Sequence, residues 1–230
     1  MWPPLNHRGG TGAVLRLAPR LSSAISGTVD DLYLVAVVSD GVDDVRGVAR
    51  PGRLDLEHQI RFADVEVLHG IEANIDAEGA ITTDDDTLAD LDLVVASPHS
   101  ALGQDSDAAT ERLIRAVEHP HVDVLGHPTG RIINSRPGLA PDVEAVVEAA
   151  AAAGTAIEVN ANPARLDADG DAVRAAIDAG ATIAVNTDAH APRELDNVRY
   201  GAHTARRGWA EAADVLNARS PDEIREFLDD

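Results

Sequence analysis

The sequence predicts an α/β fold, a parallel sheet wrapped into a distorted barrel. Three observations predict it. Short apolar runs alternate with helical stretches from residue 66 to residue 186, the pattern of parallel strands joined by crossover helices. Residues able to bind an ion cluster just after those runs, at the strand ends where parallel barrels and open sheets place their sites. They come from nearly every strand, and only closure brings them all around one centre. No glycine-rich phosphate loop or dinucleotide fingerprint is present, which counts against a doubly wound nucleotide binder.

Residues 1–30 predict an irregular segment, with a flexible Arg8-Gly9-Gly10-Thr11-Gly12, an interrupting Pro19 and only a weak helical pattern in 15–25. The main domain is expected over 31–230. The apolar run 32–38 is read as a buried strand over 31–39 that ends in Ser39-Asp40-Gly41. A helix is expected over 54–62 and a second strand over 66–68, ending at Gly70-Ile71-Glu72. The rhythm then becomes regular. A short helix over 83–91 opens with acidic residues, suiting the helix dipole. Strand 93–96 ends at Ser97-Pro98-His99, and 105–118 is an amphipathic helix built on Ala109, Leu113, Ile114 and Val117. Strand 122–125 ends at Gly126-His127-Pro128. Helix 141–153 is expected to start on Pro141 and stop at Gly154. Strand 155–159 leads into Asn160-Ala161-Asn162-Pro163, helix 171–179 stops at Gly180, and strand 181–186 precedes Asp188 and His190. The tail, 202–230, predicts two or three short helices, with Ser220 capping 221–228.

Composition bounds the chemistry. The 230 residues suit one domain. No apolar stretch is long enough to span a membrane, and Met1-Trp2-Pro3-Pro4 does not open a signal peptide. There is no cysteine, so any metal must sit on His, Asp and Glu. The net charge is −21, and all 19 basic residues are arginine. Dispersed carboxylates keep a chain hydrated where salt screens their repulsion. This predicts a salt-adapted cytoplasmic protein, of halophilic origin. The 44% of hydrophobic residues, periodically placed, argue against an acidic disordered chain.

Five strand-end residues are candidate metal ligands: Glu72, His99, His127, Asp188 and His190. Imidazole with carboxylate suits Zn²⁺, Mn²⁺ or Fe²⁺. Five ligands exceed the need of one tetrahedral ion, so two ions are expected. Asp188 and His190, two apart, are expected on one face of an extended trace. Arg131 and Arg165 are candidate phosphate grips, with a surface ion pair as the plain alternative. Asn160 and Asn162 either contact ligands and substrate or form the turn before Pro163. His119 and His121 precede their strand and so belong on the opposite rim. His69 is expected to pack, and His58 and His203 to be solvated on helices.

At these residues the chain resembles the polymerase and histidinol phosphatase (PHP) superfamily, and within it the C-terminal domain of family X DNA polymerases. The resemblance rests on Gly70-Ile71-Glu72-Ala73-Asn74-Ile75, Val94-Val95-Ala96-Ser97-Pro98-His99-Ser100 and Val124-Leu125-Gly126-His127-Pro128-Thr129-Gly130-Arg131. It continues through Glu158 to Asp167, Asn186-Thr187-Asp188-Ala189-His190 and Arg206-Arg207-Gly208-Trp209. It implies a distorted seven-stranded TIM-like barrel with a cluster of Mn²⁺ or Zn²⁺ ions on Glu72, His99, His127, Asp188 and His190. Asp188, His190 and Arg131 would be the catalytic groups. The implied activity is metal-dependent phosphoester hydrolysis, acting on DNA 3′ ends as a 3′-5′ exonuclease or 3′-phosphatase, with a polymerase as partner. The family opens with His-x-His and then Asp-His. Here Asp40-Gly41 stands in the second place and a lone His7 near the first. The barrel is therefore expected to be incomplete at its first strand, with a truncated or frame-shifted start, and Asp40 and His7 are the weaker ligand candidates. Two other readings stay open: a degenerate barrel without activity, and a small-molecule phosphatase of the histidinol-phosphate type.

Overall fold

The computed structural model describes residues 12–16, 33–40 and 65–229. Seven strands run in sequence order across one sheet: β1 Gly12–Arg16, β2 Tyr33–Asp40, β3 Val65–Asn74, β4 Leu93–Ser97, β5 Val124–Leu125, β6 Ala156–Asn160 and β7 Ile183–Asn186. Strands β2 to β7 are parallel, and β1 pairs antiparallel with β2. Between them lie α1 Asp85–Leu88, α2 Ser106–Val117, α3 Val143–Ala153 and α4 Gly170–Ala179, followed by α5 Val198–Arg207 and α6 Pro221–Asp229. The alternation predicted from the sequence is thus an α/β parallel sheet. Sequential strand order is that of a TIM-like barrel. Among the described residues β7 adds only a single parallel bridge, Ile183 to Val215, and no pairing joins it to β1, so closure stays an expectation.

Several boundaries differ, each for a local reason. β1 falls within the stretch expected to be irregular; the apolar Ala13, Val14 and Leu15 suffice to pair with β2. β3 does not stop at Gly70 but continues to Asn74, which places Glu72 inside the strand. Gly70 allows this because a Cβ there would lie 2.5 Å from the Leu93 carbonyl oxygen of β4. The helix expected over 83–91 shrinks to α1, capped by Asp84. α3 begins at Val143, not at Pro141, because the Asp142 carboxylate accepts the Ala145 N–H and makes Asp142 the cap. Gly154 and Gly180 end α3 and α4 in the left-handed conformation, as predicted. At Ser220 and Glu223, side chains and backbone N–H groups bond reciprocally, a capping box for α6. The helix expected over 54–62 lies outside the described residues.

The two sheet faces carry two separate cores. Ile71, Val94, Leu125, Ile157, Val159, Ile183 and Val185 point one way and pack with Leu113, Val117, Val146, Val147 and Val173 of the helices. Leu68, Leu93, Val95, Val124, Ala156 and Ala184 point the other way and pack with Leu216 and Ile224. This inner face is apolar only toward the strand starts. Further along the same alternation come Glu72, Ser97, Glu158, Asn160 and Asn186, all buried. Burying one such aliphatic side chain contributes roughly 1.5–3 kcal/mol, and the polar residues gain none of that. Their retention points to a site at the C-terminal ends.

Asp123 ties the opposite end. Its carboxylate accepts the Val94 N–H at 2.6 Å, and its backbone bonds Val94 and Ala156, so it joins the starts of β4, β5 and β6. Burial pushes its pKa up from 3.8 to about 6. The folded pKa exceeds the unfolded one, so this group's contribution is full below pH 3.8 and is lost as pH rises through about 6. Asp123→Asn keeps an acceptor for Val94 and removes the titration. Urea denaturation should show a shallower loss of stability between pH 4 and pH 7 in this variant, by about 1–3 kcal/mol.

Candidate metal centre

Glu72, on β3, is the meeting point of the site. Its Oε1 lies 2.9 Å from His127 Nε2 and 3.4 Å from His99 Nε2. One ligand atom from each of the three residues falls within 4.8 Å of the others. The two rings meet edge to face, with centroids 5.1 Å apart. His99 follows β4, and its N–H donates to Asn74 Oδ1 at the end of β3. His127 follows β5 after Gly126, where a Cβ would lie 2.2 Å from Ser97 Oγ and 2.7 Å from Val95 Cγ1. His127 itself has a φ of 22° and Asp188 one of 49°, conformations that a non-glycine residue adopts at some strain.

Glu158 holds this arrangement from below. Its Oε2 accepts the His127 N–H at 2.7 Å and the Asn160 side-chain amide at 3.2 Å. Its Oε1 accepts the Asn186 amide at 2.9 Å. Asn160 also donates to Asp188 Oδ2 at 3.4 Å, and Arg165 Nε lies 3.4 Å from the same oxygen. One buried carboxylate therefore orients residues of β6 and β7 and the loop after β5. Sequence reading missed Glu158 and Asn186. The signal was there: an acidic residue inside an apolar strand, two before Asn160 and hence on the same face.

The electrostatics suit a cation. Burial pushes Glu72 up, yet the hydrogen bonds with His127 and His99 outweigh it and hold this carboxyl well below the usual range. Burial works against His127 protonation, but the Glu72 hydrogen bond and charge prevail and raise its pKa. Burial pushes Glu158 up to about 7, against the pull of His127. Asp188 is raised by burial and then by the charge of Glu72. Three carboxylates thus sense one another in a buried space, an arrangement that is expensive without added positive charge. His127 Nδ1 and Arg165 Nη1 are buried without a hydrogen-bond partner. Donor set and charge together fit a divalent ion at Glu72, His99 and His127.

Other predicted residues fall differently. β7 ends at Asn186 and the chain turns at Asp188, so Asp188 and His190 do not project side by side from a strand. The turn brings His190 Nδ1 to 2.9 Å from the Asp188 carbonyl oxygen and 3.6 Å from its Oδ1, and the ring stands half exposed. Neither belongs to the three-residue group, although Asp188 faces it through Asn160 and Arg165. Arg131 corrects an expectation. Its guanidinium donates to the carbonyls of Arg165 and Leu166 and pairs with Asp169 at 3.3 Å, so it clamps the loop after β6 rather than facing the centre. Asn162 takes its turn-forming alternative, accepting the Ala164 N–H. Asp40 pairs in register with Glu72 across β2 and β3; His7 and His58 lie outside the described residues. His119 faces Asp85, away from the centre, and His203 is exposed on α5. A cleft of about 320 Å³ lined by Leu113, Val146, Ile157 and Ala172 opens among the helices and touches none of the three ligands. Arg112, fully buried, was also missed. It donates to the carbonyls of Ile75 and Ser100, and so braces the chain after both Glu72 and His99.

Removing Glu158 isolates its role. Glu158→Ala leaves the His127 N–H and the Asn186 amide unsatisfied in the interior and the Asn160 amide with Asp188 alone, at a cost of about 1–3 kcal/mol in chemical denaturation. It should also weaken Mn²⁺ binding about 10–100-fold in a calorimetric titration, as loss of a ligand's support does. Unchanged Mn²⁺ affinity would remove Glu158 from the site.

No protein-family model matches the chain. Curated relatives do. The chain is 42% identical over 167 residues to the DNA polymerase/3'-5' exonuclease PolX of Bacillus subtilis (strain 168), covering 73% of this chain and 29% of that protein. It is 39% identical over 104 residues to a probable phosphatase of Caldanaerobacter subterraneus subsp. tengcongensis, covering 44% of this chain and 39% of the relative. It is 30% identical over 178 residues to a probable phosphatase of Thermoanaerobacter sp. (strain X514), covering 73% of this chain and 70% of that relative. The chain thus spans under a third of PolX but over two thirds of the last phosphatase. With that coverage and the cluster of Glu72, His99 and His127, the chain belongs to the PHP-type family of these phosphatases and PolX.

Proposed function

We propose that the chain is a metal-dependent phosphoesterase working at the C-terminal ends of β3 to β7. The observation that carries it is the convergence of Glu72, His99 and His127 within 4.8 Å beside the half-buried Asp188 and Arg165. Glu72, His99 and His127 would hold a divalent ion, Mn²⁺ or Zn²⁺ by ligand type, with Asp188 and His190 next to it for a second. Such an ion polarises a phosphoryl oxygen and acidifies water at neutral pH. Arg165 has a buried Nη1 without a partner beside the Asp188 carboxylate, and suits a phosphate oxygen there. Asn160 keeps Asp188 oriented. Glu158 holds the His127 backbone in place.

The substrate follows from the relatives. PolX, by its name a 3'-5' exonuclease, supports phosphoester cleavage at DNA 3′ ends, with a polymerase as partner. The probable phosphatase matched over 70% of its length supports a phosphomonoester of smaller size. We take DNA 3′ ends as the first reading, because PolX shares the higher identity over a similar share of this chain.

Metal content and phosphate release decide it. The protein, purified in high salt, should carry or take up Mn²⁺ or Zn²⁺ and release phosphate from 3′-phosphorylated DNA, with p-nitrophenyl phosphate as the small-substrate control. His127→Ala should reduce turnover at least about 100-fold and lower bound metal. Arg165→Ala should raise KM with less effect on metal content. A metal-free protein without turnover on either substrate would leave only the degenerate barrel.

A further inference from the structure

The end of α5 is built in a way that stability does not explain. Its last turn carries Arg206 and Arg207, both exposed. Gly208 follows with a φ of −83°, and Trp209 then adopts the left-handed conformation with a φ of 67°. Past a helix end, that conformation normally falls to glycine, because a Cβ crowds the backbone there. Here the glycine is needed one residue earlier. A Cβ at Gly208 would lie 2.4 Å from Val173 Cγ1 and 2.7 Å from the Gly170 carbonyl oxygen, so α5 packs on α4 only without it. The strained position is left to a tryptophan that is 72% exposed. A large apolar surface in water and a positive φ both disfavour the folded state. The contact that offsets them is Arg174, whose guanidinium sits 4.8 Å over the ring and also grips Asp178.

The position matters as much as the strain. Trp209 stands beside the first half of α4, which starts on the strand-end side of the sheet. The α4 cap, Asp169, pairs with Arg131, and the next residue, Gly170, packs against Arg207. The loop leading to that cap carries Arg165, which reaches Asp188. One loop and one helix start therefore connect the candidate metal centre to the exposed ring.

We propose that Trp209, with Arg174, Arg206 and Arg207, is a stacking platform for a base of a single-stranded nucleic acid whose end enters the metal centre. This rests on the reading of DNA ends as substrate. An exposed aromatic face accepts any base, and arginine both stacks and binds phosphate. Arg174 over the indole, with exposed Arg206 and Arg207 in the helix turn just before it, is a local complement to a polyanion in a chain of charge −21. Asp171, Asp178 and Glu211 are exposed on the same elements and oppose phosphate. Stacking therefore supplies most of the attraction, and salt that screens the acidic surface weakens binding little.

The test reads binding without turnover. Trp2→Phe leaves Trp209 as the sole tryptophan, since the chain has 2. Adding oligothymidylate in EDTA should quench its fluorescence saturably, at low salt and at high salt. In anisotropy titrations with a labelled oligonucleotide, Trp209→Gly should lower affinity at least about fivefold. The same variant should keep or raise the thermal midpoint, and keep its p-nitrophenyl phosphate turnover and its mass in solution. No quenching, or unchanged oligonucleotide affinity in Trp209→Gly, would overturn the platform. So would a lowered thermal midpoint, which makes the ring structural, or a changed mass, which makes it a contact between protein copies. Because metal is chelated in the fluorescence and anisotropy titrations, failure there leaves the phosphoesterase assays standing, and their failure leaves these titrations readable.

Discussion

The Glu158 carboxylate is the point on which the site depends. It is buried, it is raised to about 7 by that burial, and it accepts from a backbone N–H and two side-chain amides. An acid in that position is worth keeping only if its acceptors are fully used. The consequence is geometric. β6 supplies the acid and Asn160, β7 supplies Asn186, and the loop after β5 is drawn in by its backbone. His127 is thereby presented to Glu72, and Asp188 is presented to the same space through Asn160.

That arrangement explains why the inner face changes character along its length. At the strand starts, Leu68, Leu93, Val124, Ala156 and Ala184 bury apolar surface against Leu216 and Ile224, and supply stability. At the strand ends, the same alternation supplies Glu72, Glu158, Asn160 and Asn186, which must be neutralised and hydrogen-bonded to stay folded. Stability and chemistry are divided along one face. The helices on the other face are packed by a separate core, so the polar end can carry strain at His127 and Asp188. The remaining loops are braced by cations rather than by apolar contacts. Arg112 serves the chain after β3 and β4, and Arg131 the chain after β6.

Much of the fold was legible because its signal is local. Apolar runs gave β4, β6 and β7 to within one or two residues, and Gly154 and Gly180 marked helix ends through a conformation that favours glycine. Glu72, His99 and His127 were legible from their place after such runs. Arg131 misled because a guanidinium in a rim loop has the same sequence signature whether it grips a phosphate or three protein acceptors. For Asp188 and His190 only the period-two argument fails, because it needs an extended trace and the chain turns at Asp188; their side chains still approach to 3.6 Å. Glu158 went unnoticed because reading stopped at strand ends, while the acid lies within the strand.

The sequence by itself determined the α/β alternation, the absence of thiolate ligands and the family to which the chain belongs. The alternation and the missing thiolates follow from periodicity and composition, and the family from its resemblance in motifs and its identity to the relatives; none of these needs a partner from elsewhere in the chain. Only the tertiary structure decided which polar groups meet. Glu72 and His127 are 55 residues apart in number, and their 2.9 Å contact exists because β3 and β5 flank β4 in one parallel sheet, which brings their C-terminal ends to the same edge. It likewise decided that Arg131 is spent on a loop while Trp209 is left in water. A side chain's role is set by the acceptors and surfaces that packing brings to it, and those lie far away along the chain.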